Sequence, residues 1–94
     1  MEPIYQKNKD FVYREVAGES ILVPIRRRLD QVNSLYVLNE TGAEIWKRID
    51  GQKTFDQVVE EVRGLYDVEP AVIANDARTL AEDLLSIEAL SAVK

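Results

Sequence analysis

The chain changes its hydrophobic period once, near Asn39. Ahead of that point the apolar residues come in short runs. Phe11 to Val16, FVYREV, is rich in β-formers, and Ala17-Gly18-Glu19 follows as a turn in which Gly18 is free to take a positive φ. Ser20 to Ile25, SILVPI, predicts a second strand that ends near Pro24, because proline cannot donate to a ladder. The polar stretch RRRLDQVNS reads as a loop, and Leu35 to Leu38, LYVL, as a third short strand. Short connections make the three an antiparallel sheet. The first ten residues carry no such pattern and read as a flexible tail.

Beyond Asn39 the spacing becomes helical. In TGAEIWKRID, Thr41 and Glu44 have the spacing of a capping box, Ile45, Trp46 and Ile49 share a stripe, and Gly51 sits where a helix stops. A second helix starts at Thr54, with Gln57 again three residues on; Phe55, Val58, Val59, Val62, Leu65 and Tyr66 form its apolar face, and Gly64 weakens its last turn. A third runs from Pro70, preset for a first helical position, to about Ile87. Its stripe is Ile73, Ala77, Leu80, Leu84 and Ile87, widened by Ala74, Ala81 and Leu85. Three strands followed by three helices predict a single α+β domain with helices on one face or end of the sheet, similar to winged helix-turn-helix modules.

The third strand departs from the expected alternation. Leu35, Tyr36, Val37 and Leu38 are apolar on both faces, and in a simple meander they form an edge whose unpaired backbone groups no charge or proline protects. Either an extended peptide fills that edge, or the chain's own N-terminal segment or another strand covers it.

Composition narrows the chemistry. There is no cysteine and no histidine in 94 residues, which removes thiolate and imidazole metal sites, disulfides, and the usual nucleophile and general-base arrangements. Glu60 with Glu61 and Glu82 with Asp83 are sequence neighbours on helices and do not face each other, so neither is a catalytic pair. No enzyme, cofactor or metal is expected. Asp76 stands at the border of the third helix's stripe, where it either caps a local network or faces a ligand. No run is long enough to span a membrane and no signal sequence opens the chain, so a cytoplasmic location is expected.

Charge separates the two halves. Residues 1–50 hold eight basic and eight acidic side chains, whereas residues 51–94 hold four and nine, which places the net charge of −5 on the last two helices. Arg78 stands against Asp76, Glu82, Asp83 and Glu88, the wrong sign for a helix that reads DNA. Arg26, Arg27 and Arg28 form either a solvated loop or a steering patch for an acidic partner.

The hairpin turn at residues 17–19, the run Leu38-Asn39-Glu40-Thr41-Gly42-Ala43 leading into Ile45-Trp46, the Asp50-Gly51 pair, Thr54, and Asn75-Asp76-Ala77 ahead of Leu80 and Leu84-Leu85 together resemble the PqqD-like family, from about residue 10 to residue 90. Its founding member is the small D protein of pyrroloquinoline quinone synthesis. The resemblance implies a winged helix-turn-helix fold and a non-catalytic role: binding the leader segment of a ribosomally made precursor peptide and presenting its core to a modifying enzyme, such as a radical SAM protein or a peptidase. It implies strand addition beside the third strand, against the third helix, with Leu35, Tyr36, Val37, Leu38, Ile73, Asp76, Ala77 and Leu80 as the binding surface. Many relatives carry a larger aliphatic residue where Ala77 stands, which implies a wider or shallower pocket, and the arginine-rich loop is longer than in the simplest versions. A monomer or weak dimer with no nucleic-acid or membrane partner is expected; the competing readings are a winged-helix DNA-binding regulator and a structural subunit that pairs its edge with a second copy.

Overall fold

A computed structural model describes residues 3–25 and 35–93. In chain order its elements are β1 (Tyr5–Lys7), β2 (Phe11–Val16), β3 (Glu19–Pro24), β4 (Tyr36–Leu38), α1 (Glu40–Arg48), α2 (Phe55–Arg63), α3 (Pro70–Ser86) and β5 (Leu90–Ala92). The class is α+β: an antiparallel sheet in the order β2-β3-β4, then three helices, consistent with a winged helix-turn-helix. Arg26, Arg27 and Arg28 lie outside the described residues.

Hairpin β2–β3 closes through Ala17 and Gly18, both at positive φ (53° and 83°), the backbone that a tight two-residue hairpin loop demands. Pro24 is the last residue of β3 and faces Phe11. Tyr36 pairs with Leu22, Val37 with Ile21 and Leu38 with Ser20, so β4 is the last strand on that side among the described residues. Alternation then sorts the side chains. Leu22 and Leu38 turn to the helices and are buried, while Ile21 and Val37 occupy the opposite face.

The core joins the inner face of the sheet to all three helices through Leu22, Leu38, Ile45, Trp46, Val58, Val62, Leu84 and Leu90. Helix α1 begins two residues before the position its capping-box spacing suggests. Asn39, not Thr41, is the N-cap: its Oδ1 accepts the Gly42 N–H at 2.7 Å, and Glu44 instead pairs with Arg48 at 2.6 Å. Asn is as good a cap as Thr, and starting there lets Leu38 end the strand inside the core. Gly42 suits the tight spot this creates, since a Cβ there would stand 3.0 Å from Asn39 Oδ1 and 3.5 Å from Leu80. At the start of α2 the expected box forms, with Gln57 N–H donating to Thr54 Oγ1 at 3.2 Å and Thr54 N–H to Gln57 Oε1 at 2.8 Å. Gly64 is the C-cap of α2, past its last turn, and Leu65 lies beyond the helix, about half exposed.

A further pair of strands was not readable from the pattern. Within the segment expected to be a flexible tail, β1 pairs antiparallel with β5, Tyr5 opposite Ala92 and Lys7 opposite Leu90. The start of the chain is also joined to α2, because Phe55 N–H donates to Pro3 O at 2.8 Å and the Tyr5 ring meets Phe55 edge-on at 5.3 Å. The chain reaches β5 through a Schellman turn in which Ala89 N–H donates to Leu84 O, Glu88 N–H to Leu85 O, and Glu88 holds φ 66°.

Candidate functional site

Between β4 and α3 lies an open cleft of about 210 Å³. Tyr36, Val37, Leu38 and Asn39 line one wall, and Asp76, Thr79 and Leu80 the other. Helical spacing explains the second wall. Residues 76, 79, 80 and 83 fall at i, i+3, i+4 and i+7 and share a face, while Ile73, Ala77 and Leu84 turn inward and are buried.

One end of the cleft is tied. The Tyr36 hydroxyl donates to Asp83 Oδ2 at 2.8 Å, and burial, the hydrogen bond and the Asp83 charge together push the Tyr36 pKa up to about 12. Leu80, three residues back along α3, is close to Gly42, just beyond Leu38. The two walls therefore run in opposite chain directions, and Asn39 and Asp76 lie at the end away from the tie.

The edge itself is apolar and accessible. Leu35 and Val37 are each 57% exposed, and among the described residues β4 has a strand partner on one side only. Beside that edge, Val37 and Leu35 stand on one face of the strand, and Leu80 and Asp76 on α3 stand across the cleft from the other.

Of the residues read from the sequence, the cleft gathers Tyr36, Val37, Leu38, Asp76 and Leu80, with Leu35 beside it at the strand's start. Ile73 and Ala77, each 2% exposed, do not line it; Ala77 packs in the core. Asn39 and Thr79 belong to the walls and were not anticipated, since a cap residue and an exposed helical Thr leave no periodic trace. A second groove, about 350 Å³, runs on the other side of α3 between Tyr5, Phe55, Val59, Ala81 and Leu85. Apart from Tyr5 of β1 it is walled by α2 and α3, whose backbone groups are largely paired within the helices.

The cleft supplies a carboxylate, a carboxamide and a hydroxyl beside aliphatic surface, groups that hold a ligand by hydrogen bonds, charge and contact. Among the described residues no polar side chain is fully buried, no cluster could hold a metal ion, and no helix is long and apolar enough to cross a membrane.

No curated protein matches the chain. Among solved structures, TbiB1 in complex with the TbiA(beta) leader peptide superposes with a TM-score of 0.70 at 19% identity, covering 95% of this chain and 98% of that one, which establishes the likeness of fold. The pattern of Coenzyme PQQ synthesis protein D (PqqD) matches residues 19–89, a span that takes in β3, the β4 edge, all three helices and both walls of the cleft. On that match the chain belongs to the PqqD family.

Proposed function

We propose that the protein is a non-catalytic peptide-binding module that takes the leader segment of a ribosomal precursor peptide as an added strand on β4, against α3, and presents the core to a modifying enzyme such as a radical SAM protein or a peptidase. The observation that carries this reading is the exposed β4 edge beside the α3 cleft. Membership of the PqqD family and the likeness to a protein solved with a leader peptide support it. Main-chain bonds along β4 provide affinity, and the alternating contacts on Val37 and Leu80 provide selectivity. By holding the leader, the module raises the effective concentration of the core at the enzyme, so it needs no reactive side chain of its own. The acidic face of α3 disfavours the DNA-binding alternative.

The test is a fluorescence titration with a labelled synthetic leader from a short precursor frame encoded beside this gene. Saturable binding by the parent protein and its loss in Val37→Asp support the reading; no binding, or equal binding by both, removes it. Val37 is the residue to change because it is exposed, whereas Leu80 also packs in the core and Leu80→Asp would confuse binding with folding.

A further inference from the structure

The cleft walls differ in charge as well as in shape. Among the described residues Asp76 is the one charged residue lining the cleft, and no hydrogen bond or ion pair engages its carboxylate. Thr79 and Asn39, the polar residues with it, are uncharged, and Asn39 Oδ1 is committed to the Gly42 N–H. Helix α1 starts at this end of the cleft, and its dipole would favour an anion there, with an effect of about half a unit charge. That field is opposed within its own first turn by Glu40. A full carboxylate and an offset half charge leave a site that attracts cations.

Spacing turns this into a register. Asp76 and Leu80 are four residues apart on α3, about 6 Å along the axis. Alternate side chains on one face of a strand are about 6.8 Å apart. An extended peptide lying in the cleft can therefore put one inward side chain on Leu80 and the next inward side chain on Asp76, while the residue between them points to the Val37 face.

We propose that Asp76 selects a lysine or arginine in the bound peptide, two positions from the aliphatic residue that rests on Leu80, and so fixes the register of the added strand. This rests on the peptide-binding reading above and specifies which peptides satisfy it. The paired charges lie in a partly open cleft, so the contribution is moderate: losing the carboxylate weakens binding of such a peptide by about fivefold. The preference also fades with salt, because an open cleft is screened.

The experiment is selection from a phage-displayed library of random dodecapeptides against the full chain, in parallel with Asp76→Asn, Asp76→Lys and Val37→Asp, each first shown to be folded by circular dichroism. The expected result is enrichment by the parent protein of peptides with Lys or Arg two positions from Leu, Ile or Val, loss of that charge preference in Asp76→Asn, and a switch to Asp or Glu at the same position in Asp76→Lys. Enrichment of the same peptides by all three Asp76 forms overturns the inference and leaves the cleft as a peptide site. Failure of the parent protein to enrich any peptide, or enrichment that Val37→Asp does not reduce, overturns both.

Discussion

The Tyr36 hydroxyl and the Asp83 carboxylate, 47 residues apart, meet at 2.8 Å and tie the edge strand to α3. This contact sets how β4 stands against the helix, and it makes the cleft sensitive to base. The native pKa of about 12 lies above the ordinary value of 10, so the native state favours the protonated phenol. Its contribution to stability is complete below pH 10 and is lost as pH rises through 10 to 12. Tyr36→Phe should cost about 1–2 kcal/mol in urea unfolding at pH 7, the low end for a hydrogen bond to a charged partner because the pair is only part-buried. The same variant should lose less stability than the parent between pH 10 and 12; parallel pH curves for the two proteins would contradict this.

Asn39 serves both the helix and the cleft. Asn39→Ala should lower stability by about 1 kcal/mol through loss of the cap, while Thr41→Ala should stay within about 0.5 kcal/mol of the parent. Thermal unfolding of the pair decides it, because a larger effect at Thr41 would return the cap to the position suggested by sequence spacing.

Ala17 holds φ 53° in a two-residue turn whose second position is already glycine. Asn tolerates that conformation far better, and Asn-Gly is the preferred pair for this loop. Ala17→Asn should therefore gain about 0.5–1 kcal/mol, read as a Tm increase of roughly 4 °C. A fall in Tm would mean that the turn takes another form in solution.

Tyr5 tests the strand at the start of the chain. Its ring rests on Phe55 and its backbone pairs with Ala92, so Tyr5→Ala should cost about 2 kcal/mol, enough to lower Tm by roughly 10 °C. A substitution with no effect on Tm would show that residues 5–7 are free of the domain.

What could be read in the sequence follows from how local each signal is. Thr54 and Gln57 announce α2 because a capping box is complete within four residues, and Pro70 marks α3 in the same way. The apolar run LYVL announced a strand with both faces to cover by breaking alternation over adjacent positions, but whether it lies inside or at the edge of the sheet depends on strand order, which the run does not carry. By contrast β1 and β5 are three residues each, too short to show a period, and their pairing spans almost the whole chain. The Thr41–Glu44 spacing pointed to a cap two residues late, because the Asn39 cap has no Glu or Gln three residues on to mark it and shows only in its bond to the Gly42 N–H. The stripe through Ile73 and Ala77 was legible as apolar, yet which side of α3 meets the core and which meets the cleft depends on where β4 docks, information that no single helix contains.

The pairing of β1 with β5 has a consequence for architecture. With Tyr5 opposite Ala92, the two ends of the described fold meet at one spot on the surface. A domain of this kind can be spliced into a longer polypeptide, or joined to a partner through either end, without prising its strands apart. The same closure suits it to circular permutation: a short linker from Val93 back to Pro3, with new ends opened at the Ala17-Gly18 turn, would keep the bond from Phe55 N–H to Pro3 O and leave the β4 edge and α3 in their present places.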